Sequence, residues 1–310
     1  MLYVIVQHNQ MRGTDMLLNN LYKQNLIHPP KWLMDNVSYM TIMGSQAYGV
    51  SSDDSDLDVY GFCIPPKDLV FPHLAGEIPG FGRQIQRFEQ WQEHHVTDPN
   101  KKIEYDFAVF SIVKYFQLCM ENNPNMIDSL FTPRNCVIHS TAVSEIVREN
   151  RKLFLHKGSW HKFKGYAYAQ MAKIRNKVNA NNEKRAASIA EHGYDLKFAY
   201  HIVRLLNEVE QILVEGDLDL QRNREQLKEI RRGEWTIDQV ETYFETKERT
   251  LEATYAASTL PHSPDEDRIK RLLLNCLEQH YGSLSAAVSL DVNVEAMVRD
   301  IRSVLDKYAV

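Results

Sequence analysis

The chain has 310 residues, enough for one large domain or two ordinary ones, and its 44% apolar and 25% charged content excludes a disordered polypeptide. The net charge of -5 supplies no global attraction to nucleic acid or to an anionic membrane, and no apolar run reaches the ~18 residues needed to cross a bilayer. The opening MLYVIVQHNQ has no basic n-region and no small-residue cleavage site, which predicts no signal peptide. The four cysteines (Cys63, Cys119, Cys136 and Cys276) form no CxxC pair, which argues against a zinc site or a disulfide scaffold and fits a cytoplasmic protein with reduced thiols.

Taken in chain order, Val37 to Ile42 is β-branched and aromatic and stops at Gly44-Ser45, which predicts a strand. Leu57 to Ile64 reads as a second strand ended by Pro65-Pro66. Residues 67 to 100 contain Gly76, Pro79, Gly80 and Gly82, then a polar stretch, Arg83 to His95, compatible with a helix. Ile103 to Phe110 predicts a third strand and Ile112 to Asn122 a helix. Asn123-Pro124 breaks that helix, and Met126 to Phe131 begins another. From about residue 140 the pattern is helical, with Leu196, Ala199, Tyr200, Val203, Leu206 and Leu213 near helical spacing. Thr236 with Gln239 forms a capping box, and Ser263-Pro264-Asp265-Glu266 predicts a further helix start with Pro264 at its first position. The fold class expected is α+β: an N-terminal domain with a small mixed sheet over residues 1–150, then a helical domain over 151–310, the division lying between about 135 and 160.

The chemical signal is concentrated in Gly44-Ser45-Gln46-Ala47-Tyr48-Gly49 and Ser55-Asp56-Leu57-Asp58-Val59-Tyr60-Gly61. A Gly-Ser pair between a strand and a helix start lets backbone N–H groups and the Ser45 hydroxyl approach an anion. Asp56 and Asp58 sit two residues apart on a predicted strand, so their carboxylates share a face. Adjacent carboxylates repel unless a cation lies between them, and hard oxygen ligands suit Mg²⁺, which takes further ligands from substrate phosphates. Neither feature is specific alone; the pair, about ten residues apart, equips a site for in-line attack on a nucleotide phosphorus.

The run GSQAYG…SDLDVYG resembles the GS-x-A-x-G…SD-x-D signature of the DNA polymerase β-like nucleotidyltransferase superfamily. Phe81-Gly82, Tyr105-Asp106, Asn123-Pro124-Asn125 and Gly193 to Leu206 resemble one branch of it, bacterial and phage nucleotidyltransferases associated with RNA ligases and RNA repair, over about residues 35 to 240. The resemblance implies a catalytic domain over 1–150, and two divalent ions held by Asp56, Asp58 and a third carboxylate on a neighbouring strand. That carboxylate also helps to deprotonate the attacking hydroxyl. Asp106 is preferred for it because of its place before the helix and the Asn-Pro break, with Glu104 in reserve. The ion expected is Mg²⁺, with Mn²⁺ as a substitute.

The helical half carries 12 Lys or Arg between Arg151 and Leu206 against Glu183, Glu191 and Asp195. Such an excess opposite a carboxylate site suits a nucleoside triphosphate or a polynucleotide backbone, although a solvated helical surface accounts for most individual lysines. Lys197, His201 and Arg204 fall at i, i+4 and i+7 on one helix face and are candidates to bind the triphosphate together with Gly44 and Ser45; a satisfied, half-buried imidazole is the alternative for His201. Lys164, Tyr168 and Lys173 form a second candidate row. No aromatic residues interleave with the basic ones, so base-specific RNA reading is not expected. The expected activity is transfer of a nucleoside monophosphate from an NTP, such as ATP, to a hydroxyl acceptor with release of pyrophosphate. The association with RNA repair favours an RNA 3′ end, for example tRNA. A protein hydroxyl acceptor and a non-catalytic nucleotide-binding module are the alternatives. No membrane partner is expected, and the sequence leaves the oligomeric state open.

Overall fold

The computed structural model describes residues 17–51, 56–70, 87–101, 103–176 and 183–282. The signal-peptide reading and the Phe81-Gly82 motif therefore lie outside the described residues, as does Ser55. Among the described residues five strands form one mixed sheet: β1 (Val37–Ile42), β2 (Leu57–Cys63), β3 (Gln90–Asp98), β4 (Ile103–Ser111) and β5 (Val137–Ser140), in spatial order β3-β4-β2-β1-β5. Of these described pairs β2 with β4 is parallel, and the other three are antiparallel. Three strands lie where the sequence places them, within a residue or two at their ends.

Between β1 and β2 stands a single helical turn, α1 (Gly44–Ala47). After β4 come α2 (Ile112–Met120), capped by Ser111, and α3 (Pro124–Phe131), capped by Asn123 with Pro124 in its first turn. The helical half comprises α4 (Ala142–Glu149), α5 (Ser159–Arg175), α6 (Glu183–His192), α7 (Leu196–Glu215), α8 (Arg224–Arg231), α9 (Ile237–Ala257) and α10 (Glu266–Tyr281). Thr236 and Gln239 make the expected reciprocal capping box at α9. The start of α10 departs from expectation: Asp265 rather than Ser263 caps it, its carboxylate accepting from the Arg268 amide, so Pro264 precedes the helix.

The polar stretch Arg83 to His95, compatible with a helix by its sequence, is strand instead over its described end: it runs into β3, which pairs with β4 at the edge of the described sheet. Trp91 and Val96 are buried on the same side although five residues apart, which strict period-two alternation forbids. A register shift between Glu93 and Val96, with His95 at φ +57°, supplies the extra residue that brings both inward.

The sheet separates two apolar layers. One face packs Met40, Val59, Phe107 and Val109 against Leu18, Leu21, Ile27 and Leu33. The other carries Tyr39, Phe62, Ala108 and Phe110 into a larger core continuous through α2, α3, α5 and α7 to α10. That core crosses the expected division near residue 150, so the two halves share buried surface. Asp58, Tyr60 and Phe62 alternate on β2 with one orientation, which directs the carboxylate toward the helical half. Among the described residues no helix is long and apolar enough to cross a membrane.

Candidate active site

Asp58 of β2 pairs in parallel register with Asp106 of β4, and Leu57 with Tyr105. In-register residues of adjacent strands share a face at a spacing of about 4.8 Å. The two carboxylates therefore stand side by side while Tyr105 is buried in the opposite layer. Asp56 is exposed just before β2, and Glu104 lies on the same face of β4 as Asp106, farther from Asp58. Burial pushes the Asp58 carboxyl above its ordinary range; the Lys197 ammonium opposes that shift, Asp106 and Asp56 add to it, and His94 opposes it. Two of the three carboxylates thus raise the cost of charging the third, which is the condition a cation relieves.

Gly44 closes the opposite side of the pair. Its φ is +63°, and a Cβ placed there would come within 2.3 Å of Asp58 Oδ2. The Met43 amide donates to the Asp58 carbonyl at 2.7 Å, tying the end of β1 to the start of β2. Ser45 follows in the first turn of α1, half-buried, its carbonyl accepting from the Val50 amide at 2.9 Å. Because α1 is only one turn long, an anion here would meet individual N–H groups rather than a summed helix dipole.

Lys197 approaches from the helical half. Asp195 caps α7 by accepting from the Lys197 and Phe198 amides at 2.9 and 3.3 Å, which sets the first turn, and Lys197 is exposed there. Tyr60, on the Asp58 face, has its hydroxyl pushed to about 12 by burial and by the charges of Asp58 and Asp106. Tyr166 of α5 also acts on it and accepts a hydrogen bond from Asn123 Nδ2 at 3.3 Å.

The expected row Lys197–His201–Arg204 is split. Arg204 is 5% exposed, and Nη1 donates to the Tyr48 hydroxyl at 2.7 Å and pairs with Asp128 and, at 3.0 Å, with Glu208. Its guanidinium also stacks 4.4 Å from the Tyr48 ring centroid. Arg204 is thus committed to the interior, locking the turn after α1 to α3 and α7, and does not join Lys197 in the cleft. Burial pushes the Asp128 and Glu208 carboxyls up, Glu208 well up, and the Arg204 guanidinium opposes both shifts. His201 is half-buried, its imidazole held neutral, well below its ordinary range, by burial and then by Arg204, Lys197, Arg185 and Arg231.

The second row is likewise engaged. Lys164 lies 2.8 Å from both Glu248 and Glu252 of α9, Tyr168 donates to Glu248 at 2.6 Å, and Lys173 lies over the Phe198 ring. Lys152, Lys162 and Arg175 pair with Asp217, Glu121 and Glu241. Acids from other elements therefore offset much of the excess counted along the sequence.

Sequence reasoning missed His94 and His95, which the bulge brings against the carboxylates. The His95 amide donates to Asp106 Oδ1 at 2.8 Å and its ring bonds Glu104 at 2.5 Å, while His94 Nδ1 lies 3.4 Å from Asp106 Oδ1. The five-residue spacing of Trp91 and Val96 is the signal that could have located the bulge. Among the described residues no three His, Cys, Asp or Glu side chains form a ready-made metal cage. An open pair of hard oxygen donors matches an ion that keeps waters and takes phosphate oxygens, so the donor set fits Mg²⁺ and not a closed zinc site.

A stretch of 133 residues is 24% identical to part of an uncharacterized 38.9 kDa protein from the nrdC-mobD intergenic region of Enterobacteria phage T4, covering 42% of this chain and 36% of that one. The match thus spans about a third of the phage protein's length. The crystal structure of a nucleotidyltransferase-like protein from Exiguobacterium sibiricum 255-15 aligns with 94% of this chain and 92% of its own, at 9% identity and a TM-score of 0.28. Residues 16–275 match the family described as the RNA repair pathway DNA polymerase beta family, and a match over that much of the chain shows that the protein belongs to it.

Proposed function

We propose that the protein transfers a nucleoside monophosphate from an NTP to a hydroxyl at an RNA 3′ end, tRNA being the acceptor class to try first. The observation that carries this reading is the in-register pair Asp58–Asp106, flanked by the Gly44-Ser45 turn on one side and faced by Lys197. Asp56, Asp58 and Asp106 would hold Mg²⁺, or Mn²⁺ in its place, which when bound neutralises phosphate charge and polarises the phosphorus under attack. Ser45 and the amides around Gly44 hold the β- and γ-phosphates, and Lys197 offsets their charge. Asp106 accepts the proton of the acceptor hydroxyl as its oxygen bonds to the α-phosphorus. The bond from the α-phosphorus to the bridging oxygen breaks, and pyrophosphate leaves. Family membership in an RNA repair group supports RNA as the acceptor. A cytoplasmic location belongs to the same proposal.

The test offers the purified protein each of four α-labelled NTPs with Mg²⁺ or Mn²⁺, with total RNA and, separately, lysate protein as acceptors. Label entering RNA from one nucleotide is the expected result. Label entering protein alone would replace the RNA acceptor by a Tyr, Ser or Thr hydroxyl.

A further inference from the structure

The β3 bulge sorts two carboxylates that the sequence cannot tell apart. Glu104 and Asp106 share a face of β4, and either has the chemistry to complete a cation site with Asp58. At the bulge His95 takes a left-handed backbone conformation, φ +57°, rare for a non-glycine residue. That conformation turns its amide onto Asp106 Oδ1 at 2.8 Å and sends its ring to Glu104 Oε1 at 2.5 Å. His94, 56% exposed, places Nδ1 at 3.4 Å from the same Asp106 oxygen. Glu104 is thereby drawn to a histidine ring, whereas both contacts on Asp106 fall on Oδ1. Carboxylates that ligate metals are held in this way by groups behind them, whose removal typically costs 10- to 100-fold in metal affinity.

We propose that His94 and the His95 amide form a positioning element that aims Asp106, and not Glu104, at the cation shared with Asp58. The inference rests on the reading of Asp106 as a metal-holding carboxylate.

Mn²⁺ alone, titrated into the full chain and followed by the paramagnetic resonance of the free ion, gives a readout independent of turnover. His94→Ala is expected to weaken Mn²⁺ binding about tenfold. His94→Gln, which restores a donor of similar reach, should recover most of that loss, and Asp106→Asn should weaken binding at least as much as His94→Ala. His94 is exposed, so these outcomes are not entangled with folding. Wild-type Mn²⁺ affinity in His94→Ala alongside a clear loss in Asp106→Asn would overturn the positioning role alone. Wild-type affinity in Asp106→Asn would overturn the metal-holding reading of Asp106, and this inference with it.

Discussion

Arg204 shows how a single side chain can have the right chemistry in the wrong place. Its spacing from Lys197 puts both on one side of α7, but sequence spacing cannot reveal that Tyr48 and Asp128 cover one end of that side. Truncating one partner of a buried ion pair strands the other charges, so Arg204→Ala should cost about 3–5 kcal/mol of stability. Denaturant melts check this; a variant as stable as wild type but defective in nucleotide binding would return Arg204 to the substrate. Gly44 gives the converse case. Gly44→Ala meets both a positive φ and the Asp58 carboxylate, so it should reduce nucleotidyl transfer by at least tenfold. His201 governs part of the pH response. Its folded-state value is depressed, so below about pH 6.5 the unfolded chain takes up a proton that the native state refuses. The stability present above that pH is lost progressively as the solution is acidified. His201→Gln should flatten the fall between pH 7.5 and 5.5 without abolishing it, because burial also depresses His156 and His280.

At the scale of elements, legibility followed the strength of local pattern. β1, β2 and β4 are rich in β-branched and aromatic residues and were readable. β3 was not, because its apolar residues are sparse and the bulge breaks their period. The four-residue β5 was missed as well, being held by pairing to β1 rather than by pattern. The Asp56–Asp58 motif announced a candidate site, and Asp106, Gly44, Ser45 and Lys197 were named with it; the pairing of Asp58 with Asp106 and the approach of His94 and His95 came from register, which sequence does not contain. Register also places Asp106, and not Glu104, directly beside Asp58. Asp106→Asn should lower turnover at least a hundredfold, whereas Glu104→Gln, removing a partner of His95, should retain most of it. Equal losses in both would contradict that division.

Across the whole molecule, charge is arranged differently from its distribution along the chain. The basic run from Arg151 to Leu206 folds against Glu241, Glu248 and Glu252 of α9, which leaves Lys197 as the exposed cation from its expected row beside the carboxylates. RNA binding should therefore weaken with salt along a shallow slope, corresponding to a few phosphate contacts rather than ten. The continuous core between sheet and helices packs α7 against the sheet, and the Lys197 charge acts on Asp58, so the candidate site draws on both halves. Pyrophosphate release tests that arrangement most directly, measured with the responsive NTP, Mg²⁺ and RNA for wild type and for Asp58→Asn. The expected result is RNA-dependent release by wild type and a loss of at least a hundredfold in the variant. Equal release from both, or none from wild type with any of the four nucleotides and either metal, would contradict the account.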